Sequence, residues 1–381
     1  MSTVDLTVAC PLYASFRTAQ VAGMFDVPLV EKLRERFSVE LPDENEAWRV
    51  GLIVGPSGSG KSSVARAVYK DCVWREADWP KDRAVIDGFG DLPTKTIVRT
   101  LTAVGFSSPP SWVKPYHVLS NGERSRCELA RALLSIADCR LRNADQKKNK
   151  SAIRNPQSQI PLVVFDEFTS VVDRDVAKVC SAAVAKAIRR GHLDLRFVAV
   201  TCHSDVAEWL EADWVLDMAT GQVSRRRLRR PPIELTIHRA GPAAWRVFAR
   251  HHYLSGLLAR GARCYIARWR GEPVAFAATL PIYGKKAHWR FTRIVTLPDY
   301  QGVGIGMALV ETVADLHREA GIRINLTTSH PAMIAHCRRS QRWRCVTVKK
   351  QGATQSPRGA RPIKGSHGRA VVSFEYVHVT L

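Results

Sequence analysis

The sequence lacks the features that mark membrane proteins, secreted proteins and cysteine-rich zinc modules. No apolar run approaches the roughly 20 residues that span a bilayer, and runs such as Gly51 to Val54 and Leu162 to Phe165 have the length of buried strands. The N-terminus has no basic segment followed by an apolar core, so no signal peptide is expected. Nine cysteines occur without a C-x-x-C pair, which argues against disulfide scaffolds and zinc modules. These absences predict a protein of the reducing cytoplasm without a membrane partner.

Acidic residues are scarce in the C-terminal part of the chain. Residues 1–224 hold 29 Lys/Arg and 28 Asp/Glu, whereas residues 225–381 hold 28 Lys/Arg and only 7 Asp/Glu. Almost all of the net charge of +22 therefore lies in the second part. Such an excess predicts a polyanionic partner, either nucleic acid or a phosphorylated cofactor or substrate. A basic surface that only aids solubility would have the same composition, so charge alone leaves both interpretations open.

The change in charge coincides with a basic run that ends in two prolines, Arg225 to Pro232. Such a run cannot continue a helix and predicts a linker at residues 225–234. The linker would separate a domain at residues 1–224 from one at residues 235–381. Two other polar stretches, residues 140–159 and 349–368, predict a surface insertion and a loop before a final strand.

Apolar strands alternate with amphipathic helices in the first predicted domain, which indicates an α/β fold with a mainly parallel sheet. The predicted strands are Trp48–Val54, Ile160–Phe165 and Leu195–Thr201, and the predicted helices are Ser62–Trp74, Glu123–Ala137 and Arg174–Arg190.

A glycine-rich motif, GPSGSGKS, joins the first of these strands to the first helix. It fits G-x-x-x-x-G-K-[ST], and its place between a strand and a helix makes the match specific. The glycines let the loop wrap so that backbone N–H groups face phosphate oxygens, and Lys61 adds a point charge. Ser62 would bind Mg²⁺. The motif predicts an ATP site formed by Gly55, Gly58, Ser59, Gly60, Lys61, Ser62 and Ser63.

A second apolar strand ends in two carboxylates, Asp166 and Glu167. Asp166 is placed to hold Mg²⁺ directly or through water. Glu167 is placed to polarise the attacking water as a general base.

Three further motifs follow in an order that makes residues 1–224 resemble an ATP-binding cassette (ABC) ATPase. LSNGE at Leu119–Glu123 resembles the family signature, SVVD at Ser170–Asp173 resembles the loop after the second carboxylate, and His203 follows a strand as the switch histidine does. The resemblance implies a homodimer in which Ser120 and Gly122 face the γ-phosphate bound by the other protomer. It also implies that Asp173 crosses the interface and that His203 contacts the γ-phosphate.

Two departures from the ABC pattern leave roles open. Asn121 replaces a signature glycine, and no glutamine occurs from Ser63 to Ser120, where the family has one that contacts the metal. Asp87, after the strand-like Arg83–Ile86, is one candidate for that place, and a solvated turn aspartate is the alternative. The candidates for the aromatic that stacks on adenine are Phe16, Phe25 and Phe37, each of which could instead be a core residue.

The second predicted domain has its own glycine-rich turn. The strand Arg290–Leu297 leads into Gln301-x-x-Gly304-x-Gly306, and a helix follows at Met307–Ala320. Glycines and a helix N-terminus together form a cradle for pyrophosphate. The turn resembles motif A of the GNAT superfamily of N-acetyltransferases, and the likeness covers residues 235–381. It implies an α+β fold that binds acetyl-CoA or another acyl-CoA through Gln301, Gly302, Val303, Gly304, Ile305 and Gly306.

The acid and base that many GNAT members use have no counterpart here. Arg290–Leu297 contains no carboxylate, and the later helix, predicted at Pro331–Arg342, contains no tyrosine. Substitutes that remain open are His330, His336 and the cluster at residues 251–253. Four arginines flank Trp343, an arrangement that suits either DNA with a stacked, extruded base or a solvated basic face around a buried indole.

The patterns together predict an ABC-type ATPase coupled to a GNAT-type acyltransferase that acts on a nucleic acid or an associated protein. One alternative is DNA base modification like that of phage Mom proteins, which have a GNAT-like fold. Another is an ATP-gated module that grips nucleic acid without chemistry. The fused domain and the missing glutamine disfavour a transporter ATPase subunit.

Overall fold

The computed structural model describes residues 2–11, 13–27, 32–43, 45–76, 78–146, 160–252, 256–350 and 370–377. The chain forms two compact units. The first unit comprises Met1–Asp78 and Glu128–Arg230, and the second comprises Trp79–Cys127 and Pro231–Leu381. Residues 79–127 precede and include the LSNGE motif, yet they pack with the C-terminal residues.

The strands are β1 (Ser2–Pro11), β2 (Lys32–Leu41), β3 (Val50–Val54), β4 (Leu162–Phe165), β5 (Arg196–Thr201), β6 (Trp214–Asp217), β7 (Gln222–Ser224), β8 (Thr236–Ala240), β9 (Arg263–Trp269), β10 (Glu272–Pro281), β11 (His288–Thr296), β12 (Arg323–Thr328), β13 (Trp343–Lys349) and β14 (Val371–Tyr376). The helices are α1 (Phe16–Phe25), α2 (Lys61–Tyr69), α3 (Thr94–Ala103), α4 (Pro109–Trp112), α5 (Asn121–Gln146), α6 (Arg174–Arg189), α7 (Trp245–Phe248), α8 (Ile305–Glu319) and α9 (Pro331–Arg339).

The main sheet of the first unit has the order β4-β5-β3-β6-β7 among the described residues. The first four strands are parallel, and β7 returns antiparallel to β6. Every residue of β3 and β5 is buried, as expected of parallel strands with both faces covered. Their core includes Ile53, Val198 and Trp214. Because the strands are parallel, the residues that follow β3, β4 and β5 meet at one edge of the sheet.

The sheet of the second unit has the order β13-β14-β12-β11-β10-β9-β8 in the part of the chain described. Only β11 and β12 are parallel within it. Their pairing runs for three positions, from His288 opposite Arg323 to Arg290 opposite Asn325, although β11 continues to Thr296. The two strands therefore part before the Gln301 turn, which leaves the end of β11 open toward α8. The core beside β10 contains Trp245, Phe248 and Phe276.

Residues 79–127 form a helical segment of the second unit. Trp79 stacks on Tyr116 with ring centroids 4.6 Å apart and meets Phe89 edge to face. A Cβ at position 88 would lie 2.5 Å from the Trp79 ring, so only glycine fits at this position.

Most predicted elements are confirmed, with shifts of one to a few residues at their ends. Two expectations are wrong. The helix predicted to reach Trp74 ends at Tyr69 and continues as a 3-10 turn, and the strand-like Arg83–Ile86 overlaps a 3-10 helix at Val85–Phe89. Isolated apolar residues there pack inward from a turn, which mimics strand alternation in sequence.

The polar stretches have mixed outcomes. Helix α5 extends to Gln146, so the first residues of the predicted insertion at 140–159 are helical, and residues 147–159 lie outside the described residues. The final strand is confirmed as β14, whereas most of the predicted loop before it lies outside the described residues. In the described part of the chain, no helix is long and apolar enough to cross a membrane.

Candidate functional site

The loop between β3 and α2 has the backbone of a phosphate cradle. Gly58 and Gly60 both have φ of +81°, a conformation that costs glycine little and other residues more. Gly60 is the N-cap of α2 and no side chain caps the helix, so its first N–H groups point into the loop. The predicted site residues Gly55, Ser59 and Ser63 lie in the same turn and the first turn of α2.

Ser62 and Asp166, the two predicted Mg²⁺ ligands, lie in contact. The Ser62 hydroxyl donates to Asp166 Oδ1 at 2.9 Å, and Arg66 pairs with the other carboxylate oxygen at 3.2 Å. The Lys61 ammonium is turned onto its own loop and donates to the carbonyl of Pro56 at 2.6 Å. Hydroxyl and carboxylate oxygens side by side are the hard donors that Mg²⁺ prefers, so the pair fits that ion.

Glu167 and its neighbours form a strained turn after β4. Glu167 has φ of +55° and Thr169 has φ of +64°, which costs about 1–3 kcal/mol for each residue without glycine. The Glu167 carboxylate accepts a hydrogen bond from Ser170 Oγ at 2.6 Å. Strain of this kind persists where the surrounding structure demands a particular direction of the side chain.

Asp173 and His203, both predicted to act at the nucleotide, also have local structural roles. Asp173 is the N-cap of α6 and accepts from the Asp175 N–H at 2.8 Å. His203 follows β5, and its N–H donates to Thr201 Oγ1 at 3.2 Å. Glu167 and His203 therefore follow strands β4 and β5, which are neighbours in the sheet.

The LSNGE motif lies in the second unit and starts α5 as a capping box. Ser120 Oγ accepts from the Glu123 N–H at 3.3 Å, while Glu123 Oε2 accepts from the Ser120 N–H at 3.0 Å. This reciprocal pair satisfies two donors at the helix start. Gly122 lies in that first turn. The S-x-x-E spacing is visible in the sequence, so it could have predicted the helix start at Asn121 rather than Glu123.

The three aromatic candidates for stacking on adenine differ in burial. Phe16 and Phe25 lie on α1 with 83% and 70% of their surfaces exposed. Phe37 packs against the core of the first unit, and its ring would meet a Cβ on Gly60 at 2.5 Å. Phe37 therefore supports the phosphate loop from behind. Asp87, the candidate for the missing glutamine, lies in the 3-10 helix after Ala84.

The Gln301 turn forms the second cradle. Gly302 and Gly304 have φ of +89° and +106°, and Gly304 is the N-cap of α8 without a side-chain cap. A Cβ on Gly306 would lie 2.6 Å from Thr296 Oγ1, so glycine lets α8 approach the end of β11. Val303 and Ile305 are buried and anchor the turn. Two glycines of positive φ and a 15-residue helix that begins without a side-chain cap fit a pyrophosphate group.

Gln301 itself is held by two hydrogen bonds. Its amide donates to the Thr296 carbonyl at 3.0 Å, and its Oε1 accepts from the Ser107 N–H at 2.6 Å. Asp299, which lies two residues before Gln301, pairs with Arg126 at 3.1 Å. Ser107, Arg126 and Asp299 were not predicted, because nothing in the sequence indicates that residues 79–127 pack on this turn.

The histidines left open as substitute bases separate into distinct environments. His336 binds Glu311 at 2.8 Å. His330 is partly buried, its Nδ1 has no hydrogen-bond partner among the described residues, and desolvation lowers its pKa, partly opposed by the Ser107 backbone. Burial and Arg250 lower the pKa of His251. Tyr253 lies outside the described residues. Lowering of the pKa favours the neutral imidazole of His330 and His251, which is the form that a base requires.

Of the two arrangements that the sequence left open for Trp343, the structure has the buried indole. The indole is 5% exposed, its N–H donates to Glu311 Oε1 at 3.1 Å, and it meets Tyr376 edge to face. Arg342 binds Asp315 through both oxygens, at 2.8 and 2.7 Å. Trp343 and Arg342 therefore hold β13 and β14 to α8, which is why a tryptophan occurs beside arginines here.

No cluster of three or more His, Cys, Asp or Glu side chains that could hold a metal is found in the described ranges. Cys337 in α9 is buried, and this raises the pKa of its thiol to about 12. A thiol with that pKa is not a nucleophile at neutral pH.

Residues 230–337 match the model of the Acetyltransferase (GNAT) family. The match includes the Gln301 turn and the whole of α8. No curated protein matches the chain. The predicted order, an α/β domain with a P-loop followed by an α+β domain of the GNAT type, is thus confirmed by the two sheets and the family model.

Solved structures resemble separate parts of the chain. One is the ribosomal-protein-S18-alanine N-acetyltransferase from Escherichia coli, at 20% identity over 38% of this chain and 93% of that one, with a TM-score of 0.29. Another is an acetyltransferase from Bacillus subtilis in complex with CoA, at 12% identity over 39% of this chain and 100% of that one, with a TM-score of 0.29. A third is a dimeric ATP-binding cassette bound to ADP and Pi, at 14% identity over 51% of this chain and 93% of that one, with a TM-score of 0.35. At these scores the likenesses assign no residue roles.

Proposed function

We propose that the chain is an ABC-type ATPase coupled to a GNAT-type acyltransferase that acts on a polyanionic substrate. The observation that carries the transferase part is the family match at residues 230–337 together with the glycine cradle at its centre. The observation that carries the ATPase part is the contact between Ser62 and Asp166 beside the glycine-rich loop, from which helix α2 begins without a side-chain cap.

In the ATPase part, the loop and Lys61 bind phosphate, and Ser62 with Asp166 would hold Mg²⁺. The ion, when bound, neutralises charge that develops on the phosphates. Glu167 accepts a proton from the attacking water as general base, and Ser170 orients its carboxylate. His203 follows the neighbouring strand and would contact the γ-phosphate, while Ser120 and Gly122 of a second protomer complete the site. The dimer and ATP hydrolysis rest on the motif resemblance.

In the transferase part, backbone N–H groups of residues 302–306 bind the pyrophosphate of acetyl-CoA or another acyl-CoA. The cradle opens where β11 and β12 part. The acceptor is a nucleic acid or an associated protein, and the support for this is the net charge of residues 225–381, with 28 Lys/Arg against 7 Asp/Glu. Polyanions bind such a surface by counterion release.

DNA base modification is a second candidate within this function, favoured by the same charge. A test uses mass spectrometry of nucleosides from cells that express the intact chain or Gly304→Trp, which fills the cradle. Gly284→Trp is the matched control, since Gly284 also has positive φ, +74°, with open space around it. A new nucleoside with the intact chain and the control, but not with Gly304→Trp, supports base modification. Unchanged nucleosides with tight acetyl-CoA binding point to a protein acceptor.

A further inference from the structure

A line of polar contacts inside the second unit joins the signature serine, Ser120, to Gln301 at the start of the glycine cradle. The two residues belong to motifs for different ligands, ATP and acyl-CoA, and 181 positions separate them in the sequence. Both lie in the second unit because residues 79–127 pack there.

The first half of the line runs through Glu123. Its Oε2 accepts from Ser120 Oγ at 3.2 Å, and its Oε1 accepts from Ser111 Oγ at 2.7 Å. Burial acts to raise the pKa of Glu123, but the hydrogen bonds from Ser111 and Ser120 and the charge of Arg126 lower it overall. The carboxylate is therefore ionised and holds the two hydroxyls together.

The second half runs through α4 and its N-cap. Ser108 Oγ lies 3.4 Å from Ser111 Oγ, which can accept its hydrogen while donating its own to Glu123, and the Ser111 N–H donates to the Ser108 carbonyl at 2.9 Å. Ser107, the next residue, donates its N–H to Gln301 Oε1 at 2.6 Å. Ser108 and Ser111 are both buried, so water does not compete freely for these bonds.

An ion pair between a buried arginine and a half-exposed aspartate runs beside this line. Arg126, on the second turn of α5, has a side chain only 2% exposed and pairs with Asp299 at 3.1 Å. Asp299 lies in the short 3-10 helix Pro298–Tyr300 that leads into Gln301. The pair therefore ties the second turn of α5 to the residues that lead into the Gln301 turn.

We propose that nucleotide at Ser120 and acyl-CoA at the Gln301 turn bind with positive cooperativity through this connection. Phosphate that engages Ser120 Oγ orders the start of α5, and Glu123, Ser111 and Ser107 transmit that order to Gln301, so the cradle is pre-formed for acyl-CoA. The inference rests on the proposed function and adds to it: ATP acts on the transferase by changing its affinity for the acyl donor.

The test measures acetyl-CoA binding by calorimetry on the full chain, with and without a saturating ATP analogue that is not hydrolysed. The expected result is an affinity for acetyl-CoA at least about 5-fold higher with the analogue, and the same factor for the analogue with acetyl-CoA, because coupling of binding is reciprocal. If acetyl-CoA fails to bind at all, the proposed function is overturned. If both ligands bind with unchanged affinities, this inference alone is overturned.

Two variants test the route. Ser111→Ala removes the hydroxyl between Glu123 and Ser108, and Asp299→Asn removes the charge that faces Arg126. In each variant, the affinity for acetyl-CoA alone and for the ATP analogue alone should stay within about 2-fold of wild type. The factor by which one ligand raises the affinity for the other should fall toward 1. Ser181→Ala is the matched control, because Ser181 is a fully buried helical serine of the first unit. Coupling that survives in both variants would refute the connection, as would its loss in the control.

Discussion

At the residue scale, the nucleotide site is built by side chains whose contacts are set by distant segments. Ser62 and Asp166 are 104 positions apart in sequence and 2.9 Å apart at their oxygens. Glu167 follows Asp166 in a left-handed backbone conformation, with φ of +55°, so its carboxylate leaves the strand in a direction that an ordinary turn would not give. The chemistry proposed for Glu167 therefore makes a sharp prediction.

We expect Glu167→Gln to bind ATP with nearly unchanged affinity and to hydrolyse it about 10²–10⁴-fold more slowly, because the amide cannot accept a proton. Trapped ATP should also favour the dimer. Single-turnover phosphate release, nucleotide binding and size-exclusion chromatography at saturating MgATP measure these effects. Glu208→Gln, at an exposed position, is the control. Wild-type hydrolysis by Glu167→Gln would contradict the role.

A second residue-scale prediction concerns the close approach at the second cradle. Gly306→Ala should lower the free energy of unfolding by about 1–3 kcal/mol through overpacking, since the new Cβ would lie 2.6 Å from Thr296 Oγ1. Adding Thr296→Ala should recover most of that loss, because the next atom, Thr296 Cβ, is 3.9 Å away. Denaturant unfolding of the two single variants and the double variant measures the coupling. Strictly additive effects would show that the approach is not tight.

At the element scale, both cradles use the same device. A strand ends, glycines of positive φ turn the chain, and a helix begins without a side-chain cap, at α2 after Gly60 and at α8 after Gly304. The uncapped N–H groups and the helix dipole favour an anion. Helix α5 begins differently, since Ser120 and Glu123 cap it. The capping box uses Ser120 Oγ as an acceptor, so the hydroxyl hydrogen can turn to a phosphate while the box stays in place.

Gly58 and Gly60 allow a matched test of the first cradle, because both have φ of +81°. Gly58→Ala meets open space and should cost only about 1 kcal/mol of backbone strain. Gly60→Ala carries the same strain, and its Cβ would also lie 2.5 Å from the Phe37 ring. We expect Gly60→Ala to be clearly less stable and to bind ATP more weakly than Gly58→Ala. Equal stability would mean that Phe37 does not support the loop.

At the scale of the whole molecule, some arginines of the basic C-terminal part form ion pairs within the fold. Glu375 on β14 accepts from Arg323 Nε at 2.6 Å and from Arg344 Nη2 at 2.9 Å. The Glu375 side chain is only 7% exposed. The hydrogen bond from Arg323 chiefly lowers its pKa, to about 2, with a further contribution from Arg344 and against the effect of burial.

The lowered pKa of Glu375 makes the stability of the fold depend on pH in the acid range. Its folded pKa, about 2, lies below the unfolded value of about 4.3. Its stabilisation is therefore present above about pH 4.3 and is lost as the pH falls toward 2. Solvent screening at the two half-exposed arginines limits the contribution to about 1–2 kcal/mol.

We expect Glu375→Gln to be less stable than wild type at pH 7 and to converge with it near pH 2, the folded pKa. Denaturant midpoints recorded across that pH range measure the difference, with the exposed Glu272→Gln as control. A constant difference at every pH would contradict the ion-pair explanation.

Local patterns along the chain were sufficient to predict the two glycine cradles, their flanking strands and helices, and the break in charge near residue 225. These features are local, because a glycine of positive φ, a helix start and an apolar strand each leave a pattern within a few neighbouring residues. The roles of Gly58, Gly304 and the apolar run of β3 could therefore be predicted from their neighbours in the sequence.

Contacts between residues far apart in the sequence follow from how the elements pack. Residues 79–127 carry no pattern that points to the Gln301 turn, since the bonds from Ser107 and Arg126 depend on a backbone N–H and one arginine among many. The arginines around Trp343 are typical of a nucleic-acid contact. The indole is nevertheless buried against Tyr376 and Glu311, and this depends on how β13, β14 and α8 pack. Burial and long-range pairing are properties of the folded chain, because they depend on elements far apart in sequence.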